Sequence, residues 1–251
     1  MDLTALLTSQ VLGYALVFAR LGAVMVFMPG IGEQMIPIRH RLAMGVVLSL
    51  ALYPATPVGA LNLETPLDLF PLLVVETAIG IWIGITARIL LSALQLAGYQ
   101  VGLVSGLSNA FAPSIGSFEG STLLATALML TGVTLIFATD LHHAILMALL
   151  MSYDVFAPGQ YLGGDLAEQI VKAASHSFYI GTMISAPFFV MGLVLNVGFG
   201  LANRMMPTLP VFFVAAPLLI VSGLFVLVVA APTMLRAWLE DFGLWFGLLS
   251  F

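Results

Sequence analysis

The interpretation of this chain begins from one stretch, Gly98-Tyr-Gln-Val-Gly102-Leu-Val-Ser-Gly106-Leu-Ser-Asn-Ala-Phe-Ala-Pro113-Ser-Ile-Gly-Ser-Phe-Glu-Gly120. Its first glycines recur at every fourth position, so a helix places them on one face where another backbone can pack closely. Residues 107–120 are rich in turn-forming and small polar residues and lie between two long apolar segments. Such a loop favours a gate or plug in a conduit over an enzyme pocket. The candidate plug-loop residues are Gly106, Ser108, Asn109, Phe111, Pro113 and Gly116.

The composition is that of an integral membrane protein. Hydrophobic residues make up 61% of the 251 residues and charged residues only 8%, whereas soluble domains carry about 25% charged residues. The absence of cysteine excludes disulfides, thiolate metal sites and cysteine nucleophiles. The seven Lys and Arg residues are scattered, which leaves no basic patch for nucleic acid. The sequence therefore predicts a protein whose surroundings are lipid.

Six apolar blocks predict the helices, at about 5–32, 42–60, 69–106, 121–157, 173–202 and 211–237. A membrane crossing needs about 20 apolar residues, so the third and fourth blocks must tilt, break or extend beyond the bilayer. Pro187, Pro217 and Pro232 lie in or near apolar blocks and predict kinks, because proline removes a backbone donor. The predicted fold is an all-α polytopic membrane protein of about six hydrophobic helical segments, with kinked or broken helices and helical hairpins.

Glycine pairs in the third block predict close helix packing. Gly80 with Gly84, and Gly98 with Gly102, each recur at a spacing of four residues. This small-residue pattern lets two helix backbones approach each other. We therefore expect protein, rather than lipid, around this block.

Four charged residues lie within apolar stretches: Arg20, Glu76, Arg88 and Asp140. Such residues are costly in hydrocarbon and are usually paired or turned toward protein or water. They are compatible with a proton relay in a secondary transporter or with structural ion pairs. An antiparallel hairpin of the third and fourth blocks about residue 114 places Arg88 and Asp140 at equal distances from its tip. We therefore expect these two to form a structural pair, in direct contact or through one water.

Two further hypotheses concern the histidines, as metal ligands and as a catalytic base. His142 and His143 are adjacent, so a helix directs them about 100° apart, and we expect no shared metal although Asp140 and His143 lie on one face. Gly106-Leu-Ser108-Asn-Ala, with His142, His143 or His176 as a candidate base, loosely resembles the serine motif of intramembrane proteases. A nucleophile needs a base within hydrogen-bond reach, and the sequence indicates none. We expect no catalytic residue, no metal and no cofactor.

Motifs along the whole chain occur in a recognisable order. Near the start are Phe18-Ala-Arg20, Pro29-Gly-Ile-Gly32 and Ile36-Pro-Ile-Arg39-His-Arg41; in the middle, Glu76, Gly80, Gly84 and the loop from Gly102 to Pro113; near the end, Asn203-Arg204-Met-Met-Pro207, Val211-Phe212-Phe213 and Pro217. In order and spacing the chain resembles the FliR family of flagellar and type III secretion export-gate proteins, which includes SctT-like proteins. It departs from that family at Ala112, where Asp is usual before the proline, and at Thr208, where Gln is common.

The resemblance implies a non-enzymatic subunit of the flagellar type III protein-export gate. It implies a multi-pass protein of the bacterial inner membrane and flagellar basal body, which contributes to the export channel and its closed-state plug. The implied partners are FliP-like and FliQ-like gate subunits and FlhB-like and FlhA-like membrane components, and the implied transported substrates are unfolded flagellar proteins.

The family also implies an organisation for the chain. A single membrane domain, 1–251, would contain a FliP-like part over about 1–165, with the plug loop 107–120, and a FliQ-like C-terminal hairpin over about 170–251. The alternative from another class is a secondary transporter that uses the buried charges for ion coupling. A transporter is expected to contain internal repeats with matched broken helices, and the sequence offers no convincing pair.

Overall fold

The computed structural model describes residues 3–33, 36–60, 66–110, 120–158, 163–206 and 211–247, which are helical with no strand among them. The α-helices are α1 Leu3–Phe27, α2 Ile38–Leu52, α3 Pro66–Val104, α4 Leu107–Ala110, α5 Gly120–Ala138, α6 Leu141–Val155, α7 Gly163–Met205 and α8 Val211–Gly247. Two short 3-10 helices, Tyr53–Ala55 and Pro57–Ala60, follow α2. The predicted all-α fold is confirmed.

Several helices are long and apolar enough to cross a membrane. Four qualify singly, over Gln10–Phe27, Leu69–Val104, Gly164–Met205 and Phe213–Gly247, and α5 with α6 adds a fifth if the bent pair is one span. The second apolar block forms no such span, because α2 has only 15 residues and gives way to the proline-containing 3-10 helices. The prediction of a polytopic helical membrane protein is confirmed.

The fourth apolar block is broken rather than continuous. Helix α5 ends at Ala138, α6 begins at Leu141, and the two are bent by 72°. Asp140 lies at the break with φ 59°, the one positive φ at a non-glycine residue in the described ranges. Aspartate tolerates this left-handed conformation because its short polar side chain can bond locally. By contrast, α7 and α8 continue past the three prolines that predicted kinks.

The chain divides into two compact units. The first comprises Met1–Leu90, Phe137–Ala174 and Gly243–Phe251, and the second comprises Leu91–Ile136 and Ser175–Phe242. The long helices α3 and α7 therefore contribute to both. The division into FliP-like and FliQ-like parts near residues 165–170 stays a prediction.

The first unit has a core formed by residues that are far apart in sequence. Leu16 and Val17 of α1 pack with Val58 and Tyr153, and Tyr53 with three leucines of α3 borders this cluster. The ring of Trp82 meets that of Phe156 edge-on at 6.0 Å between centroids. This packing brings α1, α3 and α6 side by side, which positions the polar cluster described next.

The second unit is packed through small residues. On α3, Gly98 faces Ala125 of α5, and the carbonyl oxygen of Ala93 faces Gly181 of α7. On α8, Gly223 faces Ser105, just beyond the end of α3. The second half of α3 therefore lies against three other helices, as expected of a block surrounded by protein.

Candidate functional site

The most polar feature of the first unit is an ion pair within its apolar interior. Arg20 on α1 donates from Nε to Oε2 of Glu76 on α3 at 2.6 Å and from Nη2 to Oε1 at 3.0 Å. Both side chains are 0% exposed. A buried charge is tolerated only when paired and hydrogen-bonded, so this geometry holds the two helices at one register.

Helix α6 completes the surroundings of the same guanidinium group. Arg20 Nη1 donates to Ser152 Oγ at 2.9 Å, and Nη2 donates to the carbonyl oxygen of Phe156 at 3.2 Å. The Tyr153 ring lies 3.8 Å from the guanidinium carbon, a cation–π distance. Arg20 therefore connects α1 to α3 and to the end of α6. The sequence identified Arg20 and Glu76 as charges in apolar stretches, but not this set of partners.

The direct contact predicted between Arg88 and Asp140 is wrong. Arg88 Nη2 lies 3.6 Å from Glu33 Oε2, and its side chain is 47% exposed. The Asp140 carboxylate, 79% exposed, lies 3.8 Å from His143 Nδ1. The hairpin argument assumed two continuous helices, whereas the break at Asp140 changes the register and direction of the second. The assumed burial of these two charges is wrong as well.

Arg41 connects two of the family-like motifs near the start of the chain. Its Nε donates to the carbonyl oxygen of Ile31 at 3.1 Å, and its Nη2 donates to that of Glu33 at 2.9 Å. At Gly32 a side chain would lie 2.9 Å from the carbonyl oxygen of Met28. The turn after α1 is thus held to the first turn of α2, which explains why a glycine and an arginine occur together here.

The glycines of the first half of α3 lie against α1. A Cβ at Gly80 would meet the carbonyl oxygen of Arg20 and would be 2.8 Å from the Ala23 Cβ. A Cβ at Gly84 would be 2.8 Å from the Cβ of Phe27. Only glycine allows this separation of the two backbones.

The glycines of the second half of α3 differ from one another. A Cβ at Gly98 would be 2.8 Å from the Ala125 nitrogen of α5, and Gly102 is buried. Gly106 is not on the helix, because α3 ends at Val104 and Gly106 has φ 69°. The prediction that all three glycines share one helix face is wrong at Gly106, which ends the helix in a left-handed conformation that favours glycine.

The candidate plug loop is described only at its start. Leu107–Ala110 form the short helix α4, and the buried Ser108 hydroxyl has no hydrogen-bond partner in the described part of the chain. The side chain of Asn109 lies outside the described residues, as do Phe111, Pro113 and Gly116. Because Gly98 and Ala125 bring α3 and α5 together, the segment from 105 to 119 joins two adjacent helices.

The C-terminal family motif lies at the facing ends of α7 and α8. Asn203 and Arg204 are exposed in the last turn of α7, and Asn203 lines a cavity of about 360 Å³ with Asn196 and Ala215. Pro217 lies inside α8. Pro207 and the side chain of Phe212 lie outside the described residues. The motif therefore borders a gap between two apolar helices.

Polar contacts that sequence reasoning missed join α7 to its neighbours. His176 Nε2 lies 2.8 Å and 2.9 Å from the two carboxylate oxygens of Asp241 on α8. Ser185 donates to Oε1 of Gln100 at 2.5 Å, and Gln100 donates to Thr182 at 3.5 Å. The signal available in sequence was polar residues within apolar helices, but it did not indicate which of them meet.

The structure bears differently on the protease hypothesis and on the expected geometry of the two adjacent histidines. His176 is bonded to Asp241, and Ser108 has no hydrogen-bond partner in the described part of the chain, so no serine–histidine pair forms there. The rings of His142 and His143, however, lie 4.1 Å apart. The prediction that these rings point apart is wrong, because the side-chain torsions of the two histidines bring their rings together despite diverging Cβ directions.

Comparison with known proteins agrees with this architecture. The sequence profile of the bacterial export proteins, family 1, matches residues 11–244. The flagellar biosynthetic protein FliR of Caulobacter vibrioides is 38% identical over 238 residues, which cover 93% of this chain and 94% of that protein. FliR of Escherichia coli is 29% identical and covers 81% of this chain and 78% of its own length. The Yop proteins translocation protein T of Yersinia pestis is 28% identical over 85% of this chain and 83% of its own length.

The matched region contains all of α2 to α7 and most of α1 and α8. It contains the buried pair of Arg20 and Glu76 and the glycine contacts on α3. The chain therefore belongs to the bacterial export proteins of family 1, the family of the FliR proteins it resembles.

Proposed function

We propose that this chain is a non-enzymatic subunit of the flagellar type III protein-export gate in the bacterial inner membrane, as part of the flagellar basal body. The observation that carries this proposal is the similarity to FliR proteins, which extends along nearly the full length of both chains. The 38% identity to the FliR of Caulobacter vibrioides, against 28% to the Yop translocation protein, favours the flagellar branch over the virulence branch.

The ionic contacts within the chain disfavour the secondary transporter. A coupling site needs a charged group that can exchange its partner for an ion, whereas Arg20 and Glu76 are fully buried and bonded to each other, and Arg20 is also bonded to Ser152 and Phe156. Arg88 and Asp140 are exposed and have different partners. The charges in the apolar blocks therefore serve helix register, the structural alternative.

The surface of α8 supports a role in a hetero-oligomer. Within the apolar 18-residue window of the span Phe213–Gly247, only 6% of the residues are buried within the chain, although this span is the most apolar of the four. Lipid alone can cover such a helix, but the exposed side chains of Asn196 and Asn203, which line the largely apolar gap between α7 and α8, favour a polar partner or water. FliP-like and FliQ-like subunits, with FlhB-like and FlhA-like components nearby, are the proposed neighbours, and unfolded flagellar proteins are the proposed cargo.

The segment 107–120 is the proposed plug of the closed gate. Two observations support this role: it joins α3 and α5, which touch at Gly98 and Ala125, and Gly106, two residues beyond the end of α3 at Val104, has a positive φ that turns the chain out of the helix. Its small and turn-forming residues suit a segment that must clear the channel when cargo passes. The Ser108 hydroxyl, buried without a hydrogen-bond partner in the described residues, is a group that another subunit could bond.

Deletion and complementation in the encoding bacterium test the proposal. Cells that lack the chain are expected to be non-motile and without filaments, and the wild-type gene is expected to restore both. A purification in mild detergent, analysed by mass spectrometry, should recover FliP-like and FliQ-like proteins with the chain. Normal filaments in the deletion strain would contradict the flagellar role, and a chain that is stable and monomeric without partners would favour the transporter.

A further inference from the structure

Three groups that can bind a metal ion converge where the fourth apolar block breaks. Asp140, His142 and His143 each offer one ligand atom, and these atoms lie within 4.8 Å of one another. All three belong to the first compact unit, at the start of α6. Neither the family resemblance nor the export function assigns a role to them.

None of these three side chains forms a hydrogen bond within the described part of the chain. Asp140 precedes the first residue of α6, but its side chain does not cap the helix, although an aspartate at this position usually accepts a bond from a nearby backbone N–H. The carboxylate instead lies 3.8 Å from His143 Nδ1, beyond hydrogen-bond distance. His142 Nδ1 is buried and has no hydrogen-bond partner among the described residues. A buried polar atom without a partner calls for a physical explanation such as an ion or water.

The His142 ring is held in place by its neighbours. It stacks on Phe137 of α5 at 5.0 Å and 24° between planes, and it lies 4.1 Å from the His143 ring. Such fixed orientation lowers the cost of assembling a set of ligands. Two imidazoles and a carboxylate are also the ligands that zinc uses when one position stays open.

We propose that Asp140, His142 and His143 form a binding site for a divalent transition-metal ion such as Zn²⁺. Ligand atoms about 2.1 Å from a tetrahedral ion lie about 3.4 Å apart, so small rotations of these partly exposed side chains close the set. The fourth position is left to water. Asp140 has the left-handed backbone conformation at the 72° bend between α5 and α6. An ion bound to its side chain therefore restrains that bend.

Direct binding to the full chain tests the site. The chain is purified in detergent without a polyhistidine tag, and Zn²⁺ binding is measured by competition with a chromophoric chelator. We expect one ion per chain, and Co²⁺ should give visible absorption bands typical of a low-symmetry site. Asp140→Asn and His143→Gln should each weaken binding about tenfold or more, as loss of a ligand or its support does. His40→Ala, which removes an exposed histidine elsewhere, should bind as the wild type does.

Hydrogen exchange tests the effect on the bend. Zn²⁺ should slow amide exchange over residues 137–145 in the wild type and not in Asp140→Asn. His143→Gln is the second variant because its side chain is 67% exposed, so that its loss is not expected to unfold the chain. Absence of Zn²⁺ binding, or equal binding by the wild type and both ligand variants, would overturn the site. Binding without slower exchange would overturn its role at the bend.

Discussion

Arg20 contacts α3 through both its side chain and its backbone. Its guanidinium group forms the two-bond ion pair with Glu76, and its carbonyl oxygen lies against Gly80, one turn further along α3. The pair requires the two helices to be close, and the glycine makes that closeness possible. Glu76 and Gly80 therefore belong to one contact between α1 and α3, and substitutions at either position should weaken that same contact.

Removal of one partner of the buried pair should destabilise the protein strongly. Glu76→Ala leaves the Arg20 charge uncompensated in the interior, and breaking such a pair costs about 3–5 kcal/mol. The matched control is Arg88→Ala, whose partner lies 3.6 Å away in a half-exposed pair, and exposed pairs contribute about 0–1 kcal/mol. Thermal unfolding in detergent measures both. Equal losses in the two variants would contradict a special role for the buried pair.

An exchange of the two charges should not restore stability. In the double variant Arg20→Glu with Glu76→Arg, the attraction remains, but a carboxylate at position 20 faces the carbonyl oxygen of Phe156, to which Arg20 donates. Two acceptors cannot bond each other, so we expect the double variant to be no more stable than Glu76→Ala. Yield of the assembled complex in mild detergent is the measurement. Recovery to near the wild-type yield would mean that the charges alone matter.

Alanine at the close-contact glycines should force helices apart. Gly80→Ala and Gly98→Ala place a Cβ against the backbones of Arg20 and Ala125, and overpacking of this kind costs about 1–3 kcal/mol. Gly200→Ala is the control, because its Cβ meets nothing within 4 Å among the described atoms. Alanine is a better helix former than glycine by up to about 1 kcal/mol in water. The control Gly200→Ala should therefore gain stability rather than lose it. Destabilisation of all three alike would refute the contact argument.

The hydrogen-bonded pair between α7 and α8 should contribute measurably to the stability of the protein. His176 and Asp241 are only partly exposed, at 32% and 21%, and their atoms lie 2.8 Å apart. Asp241→Asn keeps the shape but removes the charge, and we expect a loss of about 1–2 kcal/mol, since hydrogen bonds to charged groups contribute about 1.5–3 kcal/mol. Glu240→Gln changes the neighbouring exposed carboxylate and should have little effect on the midpoint of thermal unfolding. If both variants unfold at the wild-type temperature, the contact contributes nothing.

Deletion of the loop 107–120 should make the assembled gate leak. The prediction follows from its place between α3 and α5 and from its small residues. Uptake of a small membrane-impermeant dye by cells that express the assembled complex is the measurement. The control variant replaces the loop by a Gly/Ser segment of equal length. It distinguishes loss of the plug from strain between α3 and α5. A tight membrane with an intact complex would show that this segment does not close the gate.

Much of the architecture follows from the sequence for physical reasons that are local. Apolar composition predicts membrane helices because unpaired backbone groups are too costly in lipid. The glycine spacing at Gly80 and Gly84 predicts a close helix contact because both residues fall on one face, and the structure places α1 there. The same reasoning failed at Gly106, since a regular spacing continues in the sequence after the helix has ended.

The partners of the polar groups depended on the tertiary structure. Arg20 and Glu76 are recognisable in sequence as charges that need compensation, but Ser152 and the carbonyl oxygen of Phe156 lie far along the chain and complete the site only after α6 packs beside them. Symmetry in sequence paired Arg88 with Asp140, whereas in the structure each has another partner. Composition and periodicity by themselves determined that the chain consists of membrane helices with glycine contacts. Tertiary structure alone decided which charges meet, because the partners of Arg20 lie on helices far along the sequence and reach bonding distance only when those helices pack.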